Sequence, residues 1–199
     1  KPKSLIAANS HFDDSYGGLA GGGQHLAPEQ FHSALEEDSS AVILDIRNDV
    51  EYDIGHFKNA VGLTTLTYAD TWDRIDHVIA KEQNQKKNYY LYCTGGIRCE
   101  KASVYLKAKG IENVYQLEGG IHRYLETYPT GGLFEGKNFV FDNRVAMSAT
   151  EQNQAGSSLY QYYVIIVDNI VGRCLQCDAP HDKYSGRVVC TVCRVPILL

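Results

Sequence analysis

The chain has 199 residues, 44% of them hydrophobic and 22% charged. These are proportions of a folded globular protein, and they exclude wholesale disorder and collagen-like repeats. Its 19 basic and 24 acidic side chains leave a net charge of −5, which argues against a globally basic nucleic-acid binder and leaves DNA an unexpected partner.

Residues 1–24 read as a linker, because Gly17, Gly18, Gly21, Gly22 and Gly23 place five glycines in seven residues, a composition that is costly to order. The first residue is Lys1 rather than Met, as expected of a fragment or a processed form. Pro28 suits the first position of a helix whose apolar face carries Phe31, Ala34 and Leu35. Ala41-Val42-Ile43-Leu44 is a continuous apolar run ending in Asp45-Ile46-Arg47, the pattern of a strand buried on both faces of a parallel sheet. A helix is predicted from Asp70 to Ala80. A second buried strand, Tyr89 to Tyr92, follows and ends at Cys93. Residues 99–109 read as a helix stopped by Gly110. Val114-Tyr115 gives a further strand, and Gly120 to Tyr128 a further helix.

Strands alternating with helices predict an α/β fold, a doubly wound parallel sheet flanked by helices over residues 25–147. Ligands in such sheets sit beyond the carboxyl ends of the strands, where Asp45, Arg47 and Cys93 fall. Residues 148–158 read as a flexible joint, and residues 159–199 as a small appendage. The longest apolar run, Val164 to Val167, is strand-sized and far short of the roughly 18 residues that would mark a membrane span, so no membrane partner is expected.

The six cysteines divide by position. Cys93-Thr94-Gly95-Gly96-Ile97-Arg98-Cys99 takes the chain from a strand through a six-residue turn into a helix. Gly95 and Gly96 let successive N–H groups curl inward as an anion-binding nest. The helix start adds unsatisfied N–H groups, and Arg98 a permanent cation if it faces the loop. Each favours a thiolate at Cys93, the nucleophilic form. Cys99 reads as a packed residue of the helix's first turn, or as a resolving thiol for Cys93. Asp45 and Arg47 read as a pair holding neighbouring loops, with direct substrate contact by Arg47 as the alternative. Glu51 reads as a structural partner of Arg47 or of a loop. Cysteine phosphatases space Cys and Arg by five residues; the four here leave less room for a phosphoryl group.

Cys174, Cys177, Cys190 and Cys193 form two CxxC pairs twelve residues apart. Two such knuckles facing one another close a tetrahedral four-sulfur site, which is structural zinc by ligand type and count. Tyr160, Tyr162 and Tyr163 fit a half-buried strand leading to it. A free thiolate and zinc thiolates both persist in a reducing compartment, so a cytoplasmic location is expected.

The loop Cys93 to Cys99, the upstream Asp45-Ile46-Arg47 through Glu51 to Gly55-His56-Phe57, and the downstream Gly119-Gly120-Ile121 together resemble the rhodanese sulfurtransferases over residues 25–128. Within that family, Tyr92 to Lys101 and Gly136 to Arg144 are similar to the bacterial tRNA uridine hydroxylases and their eukaryotic rhodanese-domain relatives. The resemblance implies that Cys93 attacks the outer sulfur of a thiosulfate-like donor. It also implies that amides of Thr94 through Cys99 hold the resulting persulfide, and that Arg98 positions an anionic donor. A thiol or protein then accepts the sulfur. The narrower resemblance implies tRNA as a substrate, and a non-catalytic interaction module is the remaining alternative.

Overall fold

The computed structural model describes residues 21–65, 68–82, 87–139, 146–147, 170–174 and 177–181. The joint at 148–158, the tyrosines 160, 162 and 163, Cys190 and Cys193 lie outside the described residues. So does most of the predicted linker.

In chain order the elements are β1 (Gln24–Leu26), α1 (Pro28–Glu37), β2 (Val42–Asp45), α2 (Asp49–Ile54), β3 (Gly55–Phe57), β4 (Val61–Gly62), α3 (Thr71–Glu82), β5 (Tyr89–Tyr92), α4 (Ile97–Ala108), β6 (Val114–Leu117), α5 (Gly120–Thr127), β7 (Phe134–Gly136), β8 (Asn138–Phe139) and β9 (Ala146–Met147). Five strands form a parallel sheet in the order β1-β6-β5-β2-β4. Every residue of β2 and β5 is buried, as unbroken apolar runs require of strands covered on both faces.

Alternation along these strands feeds two cores. Val42, Leu44, Tyr89 and Leu91 share one with Trp72 and Ile75 of α3 and with Ala102 and Leu106 of α4. Ile43, Tyr90 and Tyr92 share the other with Phe31 of α1 and with Ile121, Tyr124 and Leu125 of α5. The result is a three-layer α/β/α sandwich. Register pairs Asp45 with Tyr92, which brings the ends of β2 and β5 side by side and sets Arg47 and Cys93 at the same rim.

Three differences from the sequence expectations have local causes. Strand β1 takes in Gln24, and Gly23 before it is buried so closely that an added Cβ would lie 2.9 Å from the Val114 carbonyl. Helix α4 begins at Ile97, two residues earlier than predicted. Gly96, at φ +89°, turns the chain into the helix, and the Cys99 N–H already donates to its carbonyl at 3.1 Å. Helix α2 was not anticipated. Asn48 caps it, accepting from the Glu51 N–H at 3.0 Å, while Glu51 Oε2 accepts from the Asn48 N–H at 3.3 Å, the reciprocal box of Asn-x-x-Glu. Antiparallel pairing of β3 with β7 ties the chain after α5 back to the rim. Among the described residues, no helix is long and apolar enough to cross a membrane.

Candidate active site

Cys93 follows β5 directly, with only 1% of its surface exposed. The Gly96 N–H donates to its Sγ at 3.1 Å, and the Cys99 thiol and the amides of Arg98 and Cys99 also favour the charged sulfur. Of the amides expected to form the nest from Thr94 onward, that of Gly96 is hydrogen-bonded to the sulfur, and those of Arg98 and Cys99 favour its charge. Its orientation is set from behind. The Cys93 and Thr94 carbonyls accept from the Ile121 and His122 N–H groups at 3.0 and 3.1 Å. The first turn of α5 thereby draws these carbonyls away from the sulfur. Gly120 permits this approach: at φ +64° it comes so close that an added Cβ would lie 2.4 Å from the Cys93 carbonyl oxygen. The Gly119-Gly120 pair was legible as a motif, but its role was not, because the contact joins segments 27 residues apart in sequence.

These contacts bring the Cys93 thiol down to about 6. The hydrogen bond from the Cys99 thiol leads, burial opposes it, and the Arg98 charge and the two later amides complete the shift. Cys99 moves the other way. Burial pushes its thiol well up, and the neighbouring Cys93 adds to the effect. The two shifts favour a thiolate at Cys93 and a thiol at Cys99, which packs at 0% exposure in the α3/α4 core.

Arg98 departs from its expected role. Its guanidinium does not stand open to an incoming anion: Nη1 donates to Glu51 Oε2 and Nη2 to Glu51 Oε1, both at 2.7 Å, and Nη2 also donates to Thr94 Oγ1 at 3.0 Å. The Thr94 hydroxyl in turn donates to Glu51 Oε1 at 3.1 Å. Glu51, 1% exposed, is thus the partner of the cysteine loop. Burial alone would raise its carboxyl, but the hydrogen bonds and charge of Arg98 outweigh burial and hold it below its ordinary range. Tyr68, which the sequence reading did not single out, donates its hydroxyl to the Arg98 carbonyl at 3.0 Å.

Asp45 and Arg47 form a sealed pair. Both side chains are 0% exposed, and Arg47 Nη2 reaches Asp45 Oδ2 at 2.5 Å and the Gly55 carbonyl at 2.6 Å. The guanidinium also lies 5.6 Å from the centre of the Tyr92 ring. The alternative of direct substrate contact by Arg47 fails, since no surface of the group is reachable. Gly95 and Ile97 lie outermost on the loop, with Ile97 67% exposed.

Of the four C-terminal cysteines, Cys174 is buried and Cys177 exposed. They sit in one tight turn. The Asp178 N–H donates to the Cys174 carbonyl at 2.8 Å, the Cys174 N–H to the Ala179 carbonyl at 2.9 Å, and Asp178 takes φ +56°. Among the described residues, no three potential ligands gather about one point.

Compared with known proteins, residues 27–127 match the family model described as "Rhodanese-like domain" and residues 135–199 the one described as "Rhodanase C-terminal". The chain is 39% identical over 91% of its length to "Rhodanese-like domain-containing protein 6" of Arabidopsis thaliana, and covers 30% of that protein. It is 36% identical over 92% of its length to "tRNA uridine(34) hydroxylase" of Erwinia tasmaniensis, covering 47% of it. Against the protein of the same name from Legionella pneumophila it is 43% identical over 63% of its length, covering 48%. The chain thus spans about half, or less, of the curated relatives it matches. Among solved structures, a rhodanese-like domain protein from Staphylococcus aureus aligns at TM-score 0.42 and 29% identity, covering 51% of this chain and 90% of that one. A thiosulfate sulfurtransferase from Pseudomonas aeruginosa aligns at TM-score 0.48 and 22% identity, covering 57% and 20%.

Proposed function

The chain belongs to the rhodanese-like domain family, and on that premise we propose that it is the cysteine-bearing unit of an enzyme that modifies the wobble uridine of tRNA, with the Cys93 thiolate as its reactive group. The observation that carries this reading is the extent of the likeness to proteins named tRNA uridine(34) hydroxylase. It runs over 92% of the chain, through the cysteine loop and into the C-terminal segment. Nucleoside analysis of tRNA from a strain lacking the full-length gene tests it. Hydroxylated uridine should disappear and return with the wild-type gene, but not with Cys93→Ser. An unchanged profile would sink the proposal.

A second reading, rhodanese-type sulfur transfer, is favoured by the nest itself. The Gly96 N–H on Sγ, with the Arg98 and Cys99 amides favouring negative charge there, suits a persulfide as well as a thiolate. The Cys93 thiolate would attack the outer sulfur of a thiosulfate-like donor. The donor's S–S bond breaks, sulfite leaves with the bonding pair, and the new terminal sulfur carries the negative charge to a thiol or protein acceptor. Mass spectrometry after incubation with thiosulfate should find a gain of about 32 Da, one sulfur atom, on Cys93; the same gain on another cysteine would reject the assignment.

The proposal assigns a structural zinc to Cys174, Cys177, Cys190 and Cys193. The close turn from Cys174 to Ala179 supports it, because a backbone curled in this way suits two thiolates on one ion. Metal analysis should find one zinc per chain, lost on changing any of the four to Ser. Chelation should melt the tail and leave 25–147 folded. A cytoplasmic, reducing location completes the proposal, since it would preserve both kinds of thiolate.

A further inference from the structure

Cys99 is the thiol that the proposed chemistry leaves unused, and the loop places it against the nucleophile. Gly96 joins the two residues: its N–H donates to Cys93 Sγ and its carbonyl accepts from the Cys99 N–H, both at 3.1 Å. The first turn of α4 therefore folds back over the cysteine it follows. Both side chains lie in the same core cluster, both are unbridged, and the Cys99 thiol hydrogen-bonds to the Cys93 sulfur. The turn is also fastened from outside, since the Tyr68 hydroxyl donates to the Arg98 carbonyl at 3.0 Å.

A thiolate beside a second thiol is the arrangement in which oxidation stops at a disulfide. The surroundings of each sulfur suit its part. Cys93 is 1% exposed and Cys99 0%, so a reagent little larger than water meets Cys93 and not Cys99. Burial keeps Cys99 protonated, and the Cys93 thiolate adds to this through its hydrogen bond and its charge. Once Cys93 is a neutral sulfenic acid, that charge is gone. The Arg98 charge, which favours a Cys99 thiolate, then acts without a rival anion.

We infer that Cys93 and Cys99 are a peroxide-responsive pair, closing a reversible disulfide that takes the nucleophile out of use and shields it from further oxidation. The Cys93 sulfur attacks one oxygen of hydrogen peroxide; the O–O bond breaks, and hydroxide leaves with the bonding pair. The Cys99 sulfur gives up its proton and attacks the Cys93 sulfur. The S–O bond breaks, and the departing hydroxide takes that proton as water. Together the two sulfurs lose two electrons, and the peroxide gains them. The inference rests on the reading of Cys93 as a reactive thiolate, and not on whether its substrate is tRNA or a sulfur donor.

Hydrogen peroxide, added in equal amount to the reduced full chain, tests it. Trypsin cuts after Lys87, Arg98 and Lys101, so Cys93 and Cys99 fall on separate peptides, 88–98 and 99–101. These two should be found joined, about 2 Da lighter than their sum, and dithiothreitol should part them. In Cys99→Ser, Cys93 should instead be trapped by dimedone and pass on to sulfinic acid. The Cys93 thiol recovered with dithiothreitol, near complete in the wild type, should then be largely lost. Iodoacetamide labelling of a parallel, unoxidised sample separates two failures. A Cys93 that neither alkylates at neutral pH nor oxidises overturns the thiolate reading and the pair with it. A Cys93 that alkylates but stays unjoined to Cys99 after peroxide, joins another cysteine, or is recovered as fully in Cys99→Ser overturns the pair alone.

Discussion

Two arginine–carboxylate pairs stand at the same rim of the sheet, and depth separates their functions. Asp45–Arg47 is fully enclosed, with its remaining contacts on the Gly55 carbonyl and the Tyr92 ring; it ties the end of β2 to the start of β3. Glu51–Arg98 has one buried member and one 18% exposed, and its cation lies close enough to Cys93 to favour the thiolate. One pair frames the site, and the other tunes it. In the enclosed pair the hydrogen bonds run to each other and to the backbone, while its charges are felt at Glu51 and Cys99. In the other, the field reaches the reactive sulfur.

The largest test of this contrast is Arg47→Met. It leaves Asp45 charged, buried and unpaired, and should cost about 3–5 kcal/mol in denaturant unfolding. Replacing both partners by apolar residues should cost less. A loss under 1 kcal/mol in the single variant would deny the framing role.

Arg98→Gln should cost less, about 1.5–3 kcal/mol, and should raise the ionisation midpoint of Cys93, which Arg47→Met should not do in the folded fraction. Its pH dependence has a defined sign. The folded Glu51 carboxyl lies below its ordinary range, so its stabilisation is present above an unfolded value of about 4.3. It is lost as pH falls through the lower folded value. The stability gap between wild type and Arg98→Gln should therefore close in acid. A gap that widens in acid would reverse the account.

Gly120→Ala follows. The left-handed backbone alone costs about 1–2 kcal/mol, and the added Cβ drives into the Cys93 and Thr94 carbonyls, so thiolate reactivity should fall further than stability does. The smallest effect belongs to Cys99. Cys99→Ser keeps a donor to Cys93 and should shift its midpoint less than Cys99→Ala does, as thiol alkylation against pH would report.

The sequence made the cysteine loop and the central strands legible because both are local signals. Four consecutive apolar residues can only be a buried strand or helix segment, and a cysteine followed by paired glycines and a helix start is a compact pattern. The parallel sheet followed from them, and the structure has it. The partners of the loop were not legible. Arg98 and Glu51 are 47 residues apart, and no spacing rule joins them. The early start of α4 was hidden by Gly96, and the run Ala102 to Leu106 is buried at every position, which erases the helical period a sequence reading depends on. Helix α2 has a start signal that hydrophobic periodicity does not register, the Asn48-x-x-Glu51 box.

The central claim is that Cys93 is a thiolate at neutral pH, made so by the nest, Cys99 and Arg98. The rate of iodoacetamide alkylation of Cys93, followed by mass spectrometry across pH, measures this directly. A midpoint of about 6 is expected; a midpoint near the ordinary thiol value of about 8.5 would contradict a thiolate at Cys93.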